Sequence, residues 1–178
     1  MAIGKLVAKL AEKERSQHEK TMALALGSVL ALVVTPLLLH KLGKWIREQT
    51  EWSAPRWADY VLGVPATVGG TALSIWAVIT QWKHGEGSPL PISPTEKLVT
   101  EGPYKHTQNP MQFGWSIMNF GISTLCNSVL AGLASFVLTG AASWGYQKFV
   151  EEPELRHRFG SSYELYRKRT SFLIPGIW

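Results

Sequence analysis

The chain has 178 residues, of which 46% are hydrophobic and only 17% charged, with a net charge of +5. A single cysteine, Cys126, excludes an intramolecular disulfide framework. The positive charge does not point to nucleic acid, because the basic residues gather at the ends of long uncharged runs, where a membrane protein meets anionic headgroups.

In chain order, Ile3, Leu6, Val7, Leu10 and Ala11 recur at helical spacing opposite Lys5, Lys9, Lys13 and Arg15. This predicts an interfacial amphipathic helix over 1–20, favoured over an ordinary solvated helix by its lysine-rich face. Three runs free of charge and histidine follow: nineteen residues between Lys20 and His40, twenty-three between Asp59 and Lys83, and forty-one between His106 and Lys148. A bilayer core takes about 20 apolar residues per helix. The runs therefore predict two transmembrane helices within 21–83, at 21–39 and 60–82, and a tight helical hairpin at 110–126 and 128–147. A soluble helical core seldom stays uncharged for so long. The first run is also long for a signal peptide and lacks a small-residue cleavage site, so a permanent helix is expected.

Between the first two spans, Trp45, Trp52 and Trp57 suit the headgroup belt or could pack on one another. The Gly- and Pro-rich segment 84–109 is unsuited to lipid, since its backbone groups could not all be satisfied there. Small residues at spacing four, Ala131/Ser135 and Ala141/Gly145, would let the hairpin helices approach. With four spans, fourteen Lys and Arg fall on the side of the N-terminus, the 84–109 segment and the tail, and four on the other. The positive-inside rule makes both termini cytoplasmic. In the tail, Pro153 marks a new or kinked helix near Glu152, Gly160 ends it, and Ser161-x-x-Glu164 opens another through about Arg169. The expected fold is an all-α polytopic membrane protein with about four transmembrane helices, a C-terminal helical hairpin and short cytoplasmic helices.

Two polar groups of residues stand at the cytoplasmic end of the predicted hairpin. Asn109-Pro110 is a helix start, with Asn as the cap and Pro supplying first-turn geometry, so free N–H groups there favour an anionic group. Glu151-Glu152 is a carboxylate pair at a helix C-terminus, opposed by the helix dipole. It calls for a cation, either a ligand or nearby Lys148, Arg156 or Arg158. Glu154-x-x-His157 has a metal-site spacing, but the further carboxylates such a site requires are missing, and no metal is expected.

The motifs Gly102-Pro103-Tyr104, Asn109-Pro110-Met111 and Gly114 are followed by Glu151-Glu152-x-x-Leu155-x-x-x-Phe159-Gly160-x-x-Tyr163-x-x-Tyr166 and a late Ile174-Pro175. In order and spacing they resemble the isoprenylcysteine carboxyl methyltransferase and phospholipid methyltransferase superfamily of integral membrane enzymes. The resemblance covers about 96–175. It implies a catalytic region over 84–178, S-adenosyl-L-methionine as cofactor, and a lipid-like or amphiphilic acceptor entering from the bilayer. The pocket would lie between the hairpin and the tail. Residues implied to contact the cofactor are Glu96, Lys97, Leu98, Val99, Tyr104, Asn109, Pro110, Met111, Gln112 and Glu151. Glu151 and Glu152 are the implied catalytic pair, and Gln147 and Lys148 the implied acceptor contacts.

The chain departs from the family pattern in four places. Gln108 and Asn109 replace an Arg-His pair, Gln112 replaces an aromatic residue, Gln147 falls where the prenylcysteine enzymes carry an acceptor-binding arginine, and Pro153 follows the acidic pair. Loss of that arginine counts against a carboxylate acceptor and favours a lipid amine or another small nucleophile, with Glu151 or Glu152 as base. A non-catalytic membrane scaffold that keeps the fold, or a sterol-reductase-like NADPH enzyme, are the alternative readings.

Overall fold

The computed structural model describes residues 30–50, 54–85 and 95–177. The expected interfacial helix, residues 21–29 of the first expected span, Trp52 and the segment 86–94 lie outside these residues. The described residues are helical apart from connecting turns. A lone parallel bridge between Thr107 and Ser171 is the β pairing among them.

Helix α1 spans Thr35–Gln49, entered through a π-turn at Leu30–Val34. Pro36 accounts for that widened entry, because proline contributes no N–H to the preceding turn. The helix continues well past the expected end of the span at Leu39, through His40, Lys41, Lys44 and Arg47. Charge does not stop a helix; it only moves it out of hydrocarbon. Helix α2, Arg56–His84, encloses the expected span and tolerates an internal Pro65. Helices α3, Pro110–Cys126, and α4, Val129–Tyr146, have the predicted bounds to within two residues and are joined by Asn127 and Ser128. A π-turn at Gln147–Glu151 leads from α4 into α5, Glu152–Arg169. α2 and the continuous helix Val129–Arg169 are long and apolar enough to cross a membrane. The apolar part of the second ends near Tyr146; charged residues crowd the remainder.

Contacts divide the chain into two compact units. One contains Ala25–Ile75 and Met111–Ala141, the other Trp76–Pro110 and Ala142–Trp178.

In the first unit, α2 and α3 meet at glycines. A Cβ on Gly70 would fall 2.4 Å from the Met118 nitrogen, and one on Gly121 would fall 2.5 Å from the Thr67 nitrogen and 2.7 Å from the Gly63 carbonyl. α3 and α4 meet at Gly132, against Thr124 and Phe120, and through a 2.7 Å bond from the Ser135 hydroxyl to Ser123. Ala131 and Ser135 are buried as the sequence suggests, whereas a Cβ on Gly145, which belongs to the other unit, would meet nothing within 4 Å among the described residues. Spacing alone cannot tell which small residues face a neighbour. Gly121→Val is expected to push backbone against backbone and cost about 1–3 kcal/mol or more. Thermal unfolding in detergent measures this, and an unchanged Tm would mean that the two helices do not meet there.

Burial in this unit runs opposite to that of a water-soluble protein. Ser116, Asn119, Ser123, Thr124, Ser135 and Thr139 are buried, while Val61, Leu62, Val68, Ile75, Leu133 and Val137 are exposed. Several of these polar side chains return to their own helix, as Ser116 does to Gln112, Asn119 to Trp115 and Thr139 to Ser135, each over four residues. Such a surface would be unfavourable in water and is matched to lipid.

Candidate functional site

The second unit holds the site. Gly102 carries φ +55, and a Cβ there would fall 2.9 Å from the Thr80 hydroxyl of α2, so both conformation and space call for glycine. The 3-10 turn Gly102–Lys105 follows and buries Pro103 and Tyr104. The Tyr104 hydroxyl donates to Gln81 Oε1 at 3.3 Å.

Residues 107–109 then lie along the tail. The Gln108 backbone N–H donates to the Ser171 carbonyl at 2.8 Å, the Thr107 hydroxyl to Leu173 at 2.7 Å, and the Gln108 side chain to Thr170 at 2.7 Å. The Asn109 amide nitrogen donates to the Phe172 carbonyl at 2.7 Å, so it ties down the tail where the sequence suggests a helix cap. Charged side chains at 108 and 109 would meet these carbonyls differently. The glutamine and asparagine found here act as a clamp.

Pro153 shapes the other wall. Lacking an N–H, it cannot bond to the carbonyl four residues earlier, and the ladder widens so that the Glu152 N–H reaches the Gln147 carbonyl. The kinked entry near Glu152 is therefore a π-turn. Gly160, at φ +51, bends α5 again. Ion pairs hold this bend: Glu152, 4% exposed, contacts Lys148 at 2.8 Å and both Arg156 and Arg167 at 2.7 Å, and Arg156 reaches Glu164 at 3.0 Å. Arg158 instead pairs with Glu154 at 3.3 Å and donates to the Thr95 carbonyl.

The adjacent glutamates are thus unlike. Burial works against charge on Glu152, but Lys148, Arg156 and Arg167 outweigh it and hold its carboxyl below the ordinary range. Glu151, about 100° round the helix, has no ion-pair partner among the described residues. Burial pushes its carboxyl up to about 7, with the Gln147 amide opposing and Glu154 adding to the rise.

Glu151 lines a narrow cleft of about 40 Å³ with Gln81, Thr95, Leu98, Val99, Tyr104, Gln108, Asn109, Leu155, Phe159, Tyr163 and Tyr166. Among the described residues, Glu151 is the one charged member of that lining. The Tyr163 hydroxyl donates to Gln108 Oε1 at 3.3 Å, and that of Tyr166 to the Tyr104 carbonyl at 2.8 Å. Burial, and then the Glu152 and Glu151 charges, push Tyr163 up to about 12, against the opposing Arg167 and Arg156. Burial first and Glu151 second raise Tyr104 further, so both phenols remain donors.

Of the sequence-derived residues, Leu98, Val99, Tyr104, Asn109 and Glu151 come together on this cleft. Glu96 and Lys97 are exposed beside it, and Pro110, Met111 and Gln112 are not in its lining. Glu152 and Lys148 are engaged with each other, and Gln147 is buried at 2% exposure with its amide acting on the Glu151 carboxyl. Leu155, Phe159, Tyr163 and Tyr166 extend the Glu151 face; the i, i+4, i+8 spacing of Glu151, Leu155 and Phe159 was the available signal. Gln81 carries no comparable signal, since it enters through the fold alone.

A family model described as phospholipid methyltransferase matches residues 58–162, more than half of the chain. The chain belongs to this family. The match includes the Gly102–Lys105 turn, the clamp residues and both glutamates, and stops just short of Tyr163. Among curated proteins, Protein-S-isoprenylcysteine O-methyltransferase of Dictyostelium discoideum is 37% identical over 83 residues, covering 45% of this chain and 33% of that protein. The matched stretch thus spans about a third of that relative's length. No solved structure matches.

Proposed function

We propose that this chain is an S-adenosylmethionine-dependent methyltransferase of the membrane, acting on a lipid-like acceptor with an amine or other small nucleophile. The observation that carries the reading is Glu151, a carboxylate that among the described residues has no counter-ion and shares an aromatic cleft with no other charged side chain. A group so placed favours a cationic ligand, and Tyr104, Phe159, Tyr163 and Tyr166 add aromatic rings to the lining, a setting suited to one. The donor set therefore fits the cofactor, with Leu98, Val99, Tyr104, Asn109 and Glu151 as its contacts. At about 40 Å³ the cleft must widen to admit it, because sites for ligands of this size span roughly 300–1,000 Å³.

When bound, S-adenosylmethionine supplies an electrophilic methyl group. The chain's part is to orient, to exclude water and to manage a proton. With a carboxyl near 7, Glu151 can accept the proton of an amine at neutral pH. Among the described residues, no lysine or arginine lines the cleft to orient a carboxylate acceptor. Glu152 holds the bend of α5 and serves as a positioning residue. The exposed apolar surface and the charge asymmetry support four membrane spans, α3 and α4 forming a hairpin, with the cleft facing the cytoplasm.

Purified protein in detergent is expected to bind S-adenosylmethionine by calorimetry, and Tyr104→Ala to weaken that binding about tenfold or more through the loss of an aromatic wall. No binding by the wild type refutes the reading. Binding of NADPH in its place assigns a reductase.

A further inference from the structure

The other unit carries a second cavity, of about 440 Å³, lined by His40, Lys44, Arg47 and Glu48 of α1 and by Cys126 and Asn127 at the α3–α4 turn. Its volume lies within the roughly 300–1,000 Å³ of small-ligand sites. α1 is brought close to this turn at Gly43, where a Cβ would fall 2.6 Å from the Asn127 side-chain nitrogen. Asn127 is held from two sides: its carbonyl accepts from Arg47 at 3.4 Å, and its amide nitrogen approaches His40 Nδ1 at 3.5 Å.

The charge of the cavity is not balanced internally. Lys44 reaches Glu48 only at 3.9 Å, with both side chains more than half exposed, a contact of little strength. Arg47 bonds to a neutral carbonyl and has no acidic partner among the described residues. Leu37, Leu38 and Trp45 of the same helix are 58%, 60% and 58% exposed. An aliphatic pair and an indole flanking a cationic hollow are the pattern of a helix crossing from acyl chains into headgroups.

We propose that this cavity is a phosphoester-binding subsite, with Lys44 and Arg47 holding the phosphate and Asn127 its neighbouring hydroxyls. The flanking apolar residues favour the headgroup of an anionic glycerophospholipid as the source. That choice rests on the membrane reading above; the phosphate chemistry does not.

Cys126 is the chain's single cysteine, is exposed and lines the cavity, so its modification rate reports occupancy without reference to catalysis. Protein in maltoside micelles would be treated with a maleimide and followed by mass spectrometry. The additions are short-chain phosphatidylglycerol, the matching diacylglycerol, or soluble glycerol phosphate. Phosphatidylglycerol at about five times its Kd is expected to slow modification about sixfold in the wild type. Diacylglycerol should not slow it, and K44Q/R47Q should lose the protection. Glu48→Gln, which removes a carboxylate from the cavity lining, should strengthen protection and serves as the test if the double variant does not fold. Protection by glycerol phosphate alone assigns a soluble phosphoester as the source. Equal slowing in wild type and K44Q/R47Q, slowing by diacylglycerol, or no slowing by any phosphate overturns the subsite. Failure of S-adenosylmethionine binding leaves this result untouched.

Discussion

Glu151→Gln is expected to stabilise the empty protein at pH 8 while weakening cofactor binding. Glu151 titrates near 7 in the folded protein and near its ordinary 4.5 in the unfolded chain. Between these values the folded state retains a proton that the unfolded state has lost. Stability therefore falls as pH rises through this window and stays lowered above it. A gap of that size corresponds to no more than about 3 kcal/mol, and partial exposure of the side chain reduces it. Without ligand, the Tm of the variant should exceed that of the wild type at pH 8 and converge with it near pH 4. Binding moves the other way. Loss of a charge-assisted contact costs about 1.5–3 kcal/mol, or roughly 10- to 100-fold in affinity. Wild-type affinity should climb as pH rises through 7, whereas that of the variant should stay flat. An unchanged affinity of Glu151→Gln at pH 8 removes Glu151 from the site.

Helix positions were legible in the sequence wherever charge or a breaker residue set the boundary. Pro110, the Cys126-Asn127-Ser128 turn and Pro153 each mark a junction that the structure contains. The end of α1 was not legible, because hydropathy reports where a helix leaves lipid and α1 continues beyond that point. The π-turn at Gln147–Glu151 follows from Pro153, yet the sequence cannot say whether a helix answers a proline by kinking, by ending or by widening. The motifs located the cleft; the roles of its members depend on partners far away in sequence. Asn109 reads as a cap until Phe172 is found beside it, and Gln108 as the replacement of a family arginine until Thr170 and Tyr163 are. Likewise Glu151 and Glu152 are indistinguishable in sequence. Their difference arises because Arg167 returns past Gly160 to reach one of them and not the other.

Glu152→Gln is the second variant of large expected effect, and its pH dependence has the opposite sign. Removing one partner from a buried ion pair costs about 3–5 kcal/mol. Here the cations are 34–45% exposed, so screening reduces the cost to roughly 2–3 kcal/mol. The Glu152 carboxyl is held below 4.5, so its stabilisation is complete above that value and is lost as pH falls through the folded-state value. The Tm deficit of Glu152→Gln should therefore be widest at neutral pH and close in acid, where the wild type loses the same pairs. The network joins Arg156, before Gly160, to Glu164 and Arg167 after it, and so fixes where Tyr163 and Tyr166 stand. Weaker cofactor binding is expected as well, through displaced tyrosines rather than a lost ligand contact. The two glutamates are separated by the shape of the binding curve. Glu152→Gln should lower affinity at every pH and retain the inflection near 7 that belongs to Glu151, whereas Glu151→Gln should abolish it. An inflection lost in Glu152→Gln and kept in Glu151→Gln would exchange their roles.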